Sequence, residues 1–189
     1  MIRLHPFGRS DFDRVIQWAT DVRLLMQWAG PIFRFPLDSR QLEGYLAGTE
    51  GEKPARVAWK ALDGTQGRVV GHIEIDQIDY RRKRGALSRV LIGPEELRGR
   101  GLGRELVGEA IRRGFEDLDL AEIFLSVFDF NSPAIRCYEA NGFELFHRRE
   151  AVVAVEDEPW SAIFMRLPRQ RWRRKAGSTL PSSGFGGRT

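Results

Sequence analysis

The chain has 189 residues, 42% of them hydrophobic, which is typical of one globular domain. It contains no apolar run of about 18 residues and no apolar N-terminal region, so we expect neither a transmembrane helix nor a secretory signal. Six of the 30 basic residues and none of the 26 acidic residues lie from Arg169 onward. The preceding part is therefore slightly acidic despite the overall charge of +4, which is not typical of a nucleic-acid-binding domain.

The N-terminal part is predicted to contain a short strand over residues 2–4 and two helices. The first helix begins at Ser10-Asp11-Phe12-Asp13, which resembles a capping box with aspartate in the glutamate position. The second begins at Asp38, with Gln41 three residues later. Residues 28–36 are rich in proline and aromatic side chains, so we predict a partly ordered loop there.

The central part is predicted to form three strands and a long helix. Residues 55–62 and 68–75 read as a hairpin that turns at Asp63-Gly64. A third strand, residues 86–92, leads into a glycine-rich turn. After the turn, five apolar residues at helical spacing predict the helix: Leu106, Val107, Ala110, Ile111 and Phe115.

The C-terminal part is predicted to alternate between strand and helix once more. Residues 122–128 form an apolar strand. A short helix follows, with Ser132 as its N-cap, Pro133 in its first position and Asn141-Gly142 at its end. Three further strands complete the predicted domain: residues 143–147, 150–155 and 160–167.

The glycine-rich turn, Arg98 to Arg104 (R-G-R-G-L-G-R), joins a strand to a helix. The first amides of a helix have no intrahelical partner, and the helix dipole adds positive charge at that end. Glycines allow a ligand to approach the backbone closely, and the three arginines add charge. The turn therefore predicts a phosphate-binding site.

Two common phosphate-binding patterns do not fit this turn. A P-loop requires Lys-Ser or Lys-Thr after its glycines, and neither pair is present. The dinucleotide pattern G-x-G-x-x-G fails because its last position is Arg104 when counted from Gly99 and Leu106 when counted from Gly101. The remaining pattern is R-x-x-G-x-G, at Arg98, Gly101 and Gly103.

This pattern resembles the coenzyme A pyrophosphate loop of the GNAT family of N-acetyltransferases. Residues 131–143 resemble the family's second motif, N-x-x-A-x-x-x-Y-x-x-x-G-F, in the expected order after an intervening strand. The resemblance implies an α/β fold with a mixed, mostly antiparallel central sheet that is splayed at the cofactor-binding strand and flanked by helices. We expect this domain over residues 1–167 and a basic, flexible tail over 168–189.

The resemblance also implies direct transfer of an acetyl group from acetyl-CoA to a primary amine. The backbone of the strand before the turn would pair with pantetheine, Asn131 would contact the cofactor, and Tyr138 would donate a proton to the leaving thiolate. The complete set implied for the cofactor is Leu91, Ile92, Gly93, Arg98, Gly99, Arg100, Gly101, Leu102, Gly103, Arg104, Asn131 and Tyr138.

Glu74 is the candidate general base, because many members of the family use a carboxylate for that task. His72, Glu74 and Asp76 alternate along their predicted strand and so share one sheet face. That face is either catalytic or simply solvated, and both interpretations stay open. His72 is the alternative base, because its ordinary pKa is closer to neutrality.

The acceptor is not identified by the sequence. Asp11-Phe12, Trp18, Asp21 and Trp28 resemble the branch related to ribosomal-protein N-terminal acetyltransferases, so a protein N-terminus is one acceptor class. The carboxylates of Glu74, Asp76 and Asp79 favour a cationic, polyamine-like amine instead. The residues implied for acceptor binding are Trp28, Phe33, Phe35 and Glu74, although the aromatic ones could equally pack in the core.

Other functions and partners stay open. The domain could be a non-catalytic, CoA-binding regulatory or interaction module. The basic segment 169–175 could bind nucleic acid, an anionic membrane or an acidic protein, or it could simply be solvated. A homodimer is left open. The single cysteine, Cys137, favours a cytoplasmic protein without disulfides, and the three dispersed histidines predict no metal site.

Overall fold

The structure is a computed structural model that describes residues 1–64 and 67–177. Its strands are β1 (Ile2–Pro6), β2 (Val57–Asp63), β3 (Val69–Asp79), β4 (Arg84–Ile92), β5 (Glu122–Phe128), β6 (Glu144–Val155) and β7 (Glu158–Pro168). Its helices are α1 (Phe12–Trp18), α2 (Val22–Ala29), α3 (Ser39–Ala47), α4 (Leu102–Glu116), α5 (Ser132–Asn141) and α6 (Arg169–Gly177). Within this part of the chain, no helix is both long and apolar enough to cross a bilayer.

The strands form one seven-stranded sheet in the order β1-β2-β3-β4-β5-β7-β6. Neighbouring strands are antiparallel except β4 and β5, which are parallel. One apolar cluster lies between the sheet and α4, α5 and α6, and a second lies between the sheet and α1 to α3. The predicted mixed, mostly antiparallel sheet flanked by helices is therefore confirmed.

The starts of the N-terminal helices follow their capping residues. The carboxylate of Asp38 accepts a hydrogen bond from the amide of Gln41 at 2.9 Å, as the sequence predicts for α3. Asp21 caps α2 in the same way, with 2.7 Å to the amide of Leu24. The loop predicted over residues 28–36 is wrong at its start, because α2 continues to Ala29 and buries Trp28 on its inner side.

The first helix begins slightly later than its capping pattern predicts. Residues Arg9–Asp11 form a 3-10 turn, and Asp11, rather than Asp13, closes the cap by accepting a hydrogen bond from the amide of Gly8 at 3.1 Å. Helix α5 also differs in its cap. Asn131, rather than Ser132, accepts from the amide of Ala134 at 3.3 Å, so Pro133 occupies the second helical position and not the first.

The ordered domain extends further towards the C-terminus than predicted. Strand β6 is continuous, where the sequence predicts two strands, and its register shifts between Arg149 and Val153. Residues 169–177 form the packed helix α6 instead of a flexible tail, whereas residues 178–189 lie outside the described part of the chain.

The basic side chains of α6 satisfy carbonyl groups left open where other helices end. The guanidinium of Arg169 donates to the carbonyls of Phe115 at 2.6 Å and Leu120 at 2.7 Å. Arg171 donates to the carbonyl of Gly142, just beyond α5, at 2.8 Å. The ring of Trp172 packs on Phe115 with 5.1 Å between ring centres. These contacts explain why a strongly basic segment is ordered on the domain.

Candidate active site

Strands β4 and β5 separate towards their C-terminal ends. They pair only at residues 84–86 and 122–124, although β4 continues to Ile92 and β5 to Phe128. A bulge in β4 accompanies this separation: His72 lies opposite Leu91, whereas Glu74 lies opposite Ser88. One extra β4 residue therefore lies between the pairs. The edge of β4 faces a gap that an extended ligand can fill by backbone pairing.

The glycine-rich turn lies at the C-terminal end of β4. Gly99 and Gly101 have φ angles of 74° and 84°, in the left-handed region that favours glycine. Gly101 is the N-cap of α4, and its carbonyl accepts from the amides of Arg104 and Glu105. The amides of residues 99–103 have no hydrogen-bond partner among the described residues. Open amides at a helix start are what the predicted phosphate site requires, so residues 99–103 stay the predicted cradle.

Gly103 is not required by packing. A Cβ atom placed there would lie 4.0 Å from the sulfur of Cys137, which is an ordinary contact. The absence of a side chain instead leaves the first turn of α4 open to a ligand.

Arg98 stabilises the turn rather than extending freely towards a ligand. Its guanidinium donates to the carbonyl of Ile92 through Nε at 3.0 Å and to the carbonyl of Gly93 at 3.0 Å. Arg98 thus links the turn to Ile92 and Gly93, two of the three backbone positions predicted to meet pantetheine. Arg100 and Arg104 are exposed beside the cradle.

Helix α5 presents the two predicted polar residues differently. The side-chain oxygen of Asn131 is engaged in capping the helix, as described above. Tyr138 is buried, and its ring meets Phe143 edge-on at 6.0 Å. Burial raises the pKa of Tyr138 above its ordinary value, so the hydroxyl keeps its proton at neutral pH. A protonated hydroxyl is the form that a proton donor requires.

His72, Glu74 and Asp76 do share one sheet face, as the alternation predicts, but that face is not solvated. Helices α1 to α3 cover it, and the side chain of Glu74 is completely buried. The guanidinium of Arg89, in the β4 bulge, contacts the carboxylates of both Glu74 and Asp76. The solvated-face interpretation is therefore wrong, because the acidic residues are paired inside the N-terminal core.

A chain of hydrogen bonds connects this ion pair to His72. The hydroxyl of Tyr45 is hydrogen-bonded to Glu74 and lies 3.2 Å from His72 Nε2, while His72 Nδ1 lies 3.1 Å from the carbonyl oxygen of Arg89. The same carbonyl accepts from Trp28 Nε1 at 2.9 Å. A carbonyl only accepts, so Nδ1 carries a proton.

The number of protons in this set of hydrogen bonds depends on whether Glu74 is protonated. The single hydroxyl proton of Tyr45 can be donated either to Glu74 or to His72. If neutral His72 accepts it, Glu74 must carry its own proton to complete the chain. Burial, the largest cause, raises the pKa of Glu74 to about 7 and lowers that of His72 to about 4. The lowered pKa keeps the imidazole of His72 neutral, whereas the raised pKa means that Glu74 is present near pH 7 both as the carboxylate paired with Arg89 and as the protonated acid.

The predicted acceptor residues mostly pack in the core. Trp28 and Phe33 are buried with Tyr45 in the N-terminal cluster, whereas Phe35 is 46% exposed. Because Arg89 neutralises Glu74 and Asp76 in the interior, these carboxylates do not offer the surface charge that favoured a cationic amine. Asp79 is engaged with the turn that follows β3, where it accepts from the amide of Arg82 at 2.8 Å.

A different acidic surface lies beside the open end of β5. Glu158, where β7 begins, accepts a hydrogen bond from the guanidinium of Arg23 at 2.5 Å, and Glu156 is 3.4 Å away. The same guanidinium lies 5.1 Å from the ring centre of Trp160, which packs edge-on against Phe128 at 4.9 Å. The sequence does not reveal this surface, because Arg23 and the two glutamates are more than 130 residues apart and no local pattern relates them.

The turn between α1 and α2 reaches both sides of the gap. At its first end, the ring of Trp18 packs directly on Gly93, where an added Cβ would lie 2.0 Å from the ring. At its second end, Arg23 meets Glu158 and Trp160. The aromatic and acidic surface therefore lies across the gap from the end of β4. In residues 1–64 and 67–177, no group of three or more His, Cys, Asp or Glu side chains could hold a metal ion.

Residues 22–143 match the acetyltransferase (GNAT) family. The chain belongs to the GNAT family. The predicted family is thus confirmed. The separation of β4 and β5 and the glycine-rich turn lie where the resemblance to this family predicts the cofactor.

Individual relatives match over shorter stretches. The chain is 33% identical over 82 residues to a spermidine N(1)-acetyltransferase of Vibrio cholerae, covering 43% of this chain and 46% of that protein. It is 37% identical over 76 residues to a kanamycin resistance protein of Rhizobium radiobacter, covering 40% of this chain and 65% of that protein. The chain thus spans between about a third and two thirds of the length of the curated relatives it matches.

A solved structure extends the likeness to nearly the whole chain. The spermidine N-acetyltransferase of Vibrio cholerae in complex with CoA and spermine superposes with a TM-score of 0.78 at 21% identity, covering 91% of this chain and 98% of that one. At this identity the likeness confirms the fold. The relatives are named for spermidine and kanamycin, and not specifically for ribosomal proteins.

Proposed function

We propose that this GNAT-family protein transfers an acetyl group from acetyl-CoA to a primary amine, and that its acceptors are cationic small molecules. The observation that carries the proposal is the gap between β4 and β5, which ends at the unpaired amides of residues 99–103. A flexible acyl carrier with a pyrophosphate at one end fits both parts of this geometry. Family membership supports the same co-substrate.

The cofactor would bind in two segments. The amides of residues 99–103 would hold the pyrophosphate, with Arg100 and Arg104 adding charge. The pantetheine arm would lie along the open edge of β4 at Leu91, Ile92 and Gly93. Because Arg98 already donates to the carbonyl of Ile92, its guanidinium would have to share that carbonyl or move when the arm binds.

Transfer would proceed by direct attack of the amine on the thioester carbonyl. The C–N bond forms, the C–S bond breaks, and the thiolate leaves with a proton supplied by Tyr138. A thiol has a pKa near 8.5, so one positioned donor is enough to assist its departure. The buried tyrosine stays protonated for this role, as described above.

Removal of the ammonium proton is the task proposed for Glu74. Its carboxylate has no exposed surface, so it cannot meet an amine directly. Tyr45 and His72, to which it is connected by hydrogen bonds, are buried as well, so the proton would reach Glu74 through a water molecule. The raised pKa of Glu74, about 7, suits a group that exchanges protons near neutrality.

The acceptor class rests on the surface that Arg23 occupies. Its guanidinium lies between two carboxylates and an indole ring, which is an environment that binds organic cations. A polyamine or aminoglycoside amine carries the same charge and could take that place. The names of the matched relatives support this class over a protein N-terminus.

An acceptor screen tests the proposal. The purified chain is supplied with acetyl-CoA and, separately, spermidine, spermine, kanamycin and an N-terminal peptide, while released thiol and acetylated product are measured. We expect product with at least one of the cationic small molecules. Binding of CoA without acetylation of any amine would instead support a non-catalytic CoA-binding module, and acetylation of the peptide alone would support the ribosomal-protein branch.

A matched pair of variants locates the acceptor surface. Glu158→Gln removes one carboxylate from the surface that Arg23 occupies and should raise the KM for a cationic acceptor. Glu150→Gln, on the exposed part of β6, is the control and should leave that KM unchanged. Equal values for all three proteins would place the acceptor elsewhere.

A further inference from the structure

The segment between α1 and α2, residues 19–21, is held at both ends. Trp18, the last residue of α1, packs directly on Gly93 at the end of β4. Arg23, in the first turn of α2, reaches Glu156 and Glu158 at the turn from β6 to β7. This short segment therefore connects the strand predicted to meet pantetheine with the surface proposed for the acceptor.

The guanidinium of Arg23 uses both of its terminal nitrogens on that surface. Nη2 donates to the carboxylate of Glu158 at 2.5 Å, and Nη1 donates to that of Glu156 at 3.4 Å. The centre of the group lies 5.1 Å from the centre of the Trp160 ring. A planar fork that binds carboxylates and also stacks on an aromatic face is specific to arginine. One side chain of the protein thus makes the contacts that an organic cation would make.

The indole N–H of Trp160 is a further polar group on this surface. Trp160 is 2% exposed, and its nitrogen has no hydrogen-bond partner of ordinary length among the described residues, whereas buried polar groups are normally paired. It interacts weakly with Glu158, whose pKa is lowered first by the hydrogen bond from Arg23 and to a lesser extent by this N–H. An unsatisfied buried donor beside two carboxylates indicates that the surface also binds a group from outside the chain.

The contacts of Arg23 are weak enough to be broken by a ligand. The side chains of Arg23, Glu156 and Glu158 are 46%, 60% and 57% exposed. Exposed ion pairs contribute little to stability, and a released guanidinium is hydrated at the surface. A cationic ligand that binds the same two glutamates can therefore replace Arg23 at small cost to the fold.

We propose that Arg23 is an internal competitor of the acceptor. Its guanidinium occupies the place of an acceptor ammonium against Glu156, Glu158 and Trp160, and a cationic acceptor binds there only after Arg23 has left. The proposal rests on the acceptor part of the proposed function. The apparent affinity for the acceptor is lowered by the fraction of molecules in which Arg23 has left. Arg23 thus selects against amines that bind too weakly to displace it.

Calorimetry with spermine tests the competition, on the full chain saturated with coenzyme A so that no turnover occurs. Arg23→Met keeps an aliphatic stem against Trp160 and should bind spermine about threefold or more tightly than the parent protein, because the competing contacts are lost. Arg23→Lys keeps the charge and loses the planar fork, so it should also bind spermine more tightly, by a smaller factor. Arg9→Met is the control: it removes another exposed arginine, paired with Glu43, and should leave the affinity unchanged.

Hydrogen exchange follows the movement of Arg23 itself. The amides of Leu24 and Leu25 donate to Asp21 at the start of α2, next to Arg23. In the parent protein these amides should exchange faster when spermine is bound, because release of Arg23 frees the start of the helix. In Arg23→Met they should exchange at the same rate with and without spermine.

The outcomes separate the competition from the proposed function. A spermine affinity that rises in Arg23→Met but not in Arg23→Lys would show an effect of net charge alone and overturn the proposal, as would slower exchange of Leu24 and Leu25 in the parent protein when spermine binds. Equal affinities in the parent protein and Arg23→Met, with spermine still acetylated, would overturn the competition and leave the proposed function intact.

Tighter binding in Arg23→Met without acetylation of spermine from acetyl-CoA would support the competition and contradict the proposed transfer to this amine. Binding of spermine by none of the four proteins would overturn the acceptor surface on which the competition rests.

Discussion

The guanidinium of Arg89 contacts the carboxylate of Glu74 in the core between the sheet and helices α1 to α3. Arg89 lies in the bulge of β4, with a left-handed φ of 50°. The irregularity that accompanies the separation of β4 from β5 therefore also places a charge against β3. The open edge of β4 and the buried ion pair of the N-terminal core are parts of one structural feature.

Replacing Arg89 should strongly destabilise the fold. Arg89→Met leaves Glu74 and Asp76 buried without their cation, and breaking a buried ion pair in this way costs about 3–5 kcal/mol. The free energy of unfolding in urea measures the loss. Arg9→Met is the control, because Arg9 pairs with Glu43 at the surface and should have little effect. Similar stability of the two variants would contradict the importance of the buried pair.

The contributions of Glu74 and His72 to the pH dependence of stability should nearly cancel between about pH 4.5 and 6.5. Because the pKa of Glu74 is raised from 4.5 to about 7, the folded chain holds a proton that the unfolded chain releases, and stability falls as pH rises. Because the pKa of His72 is lowered from 6.5 to about 4, the opposite holds for the imidazole. The two contributions offset each other.

Two variants separate these contributions. Glu74→Gln should make the free energy of unfolding rise with pH in this range, and His72→Gln should make it fall, each by at most about 1.4 kcal/mol per pH unit, the limit for one proton. Urea unfolding at several pH values measures both slopes. Slopes of the same sign in the two variants would contradict the opposite pKa shifts of Glu74 and His72.

Tyr138→Phe should lower turnover and leave cofactor binding nearly unchanged. Loss of a positioned proton donor reduces rates by about 10²-fold or more, whereas the ring and its contact with Phe143 are retained. Steady-state rates and the dissociation constant of coenzyme A are measured together. Tyr80→Phe is the matched control, since Tyr80 donates to the carbonyl of Pro54 away from the gap. Unchanged turnover in Tyr138→Phe would remove Tyr138 from the mechanism.

Helix α6 should contribute to the stability of the whole domain. Trp172→Ala removes the ring that packs on Phe115 and should cost about 2 kcal/mol, less than a fully buried tryptophan because Trp172 is half-buried. Thermal unfolding measures the change against Arg174→Ala, an exposed position on the same helix. Identical transitions would show that α6 is not integral to the domain.

Local patterns in the sequence predicted most of the sheet and the phosphate cradle. The positive φ of Gly99 and Gly101 and the open start of α4 depend only on residues adjacent in the chain. The same holds for the cap at Asp38 and the end of α5 at Gly142. Each of these features is set by short-range backbone chemistry, which a single sequence contains.

Long-range contacts account for what the sequence did not reveal. Alternation placed Glu74 and His72 on one face of β3, but it could not show that α1 to α3 cover that face or that Arg89 reaches it from β4. The composition of the basic segment after Pro168 predicts a flexible segment, because it offers little to bury. Its order comes from carbonyls at the ends of other helices, which are more than 25 residues away.

The affinity of the Gly103→Ala variant for coenzyme A tests whether the open amides at the start of α4 bind the cofactor. A Cβ at Gly103 meets nothing closer than 4.0 Å, so stability should be unchanged or slightly higher, as expected for alanine in a helix. Gly44→Ala in α3, where a Cβ also meets nothing, is the control and should not alter binding.

We expect coenzyme A to bind the parent chain and the control with equal affinity. It should bind Gly103→Ala at least about tenfold more weakly, because the methyl group holds the pyrophosphate away from the amides. Unchanged affinity in Gly103→Ala, with the fold intact, would contradict the assignment of residues 99–103 as the pyrophosphate site.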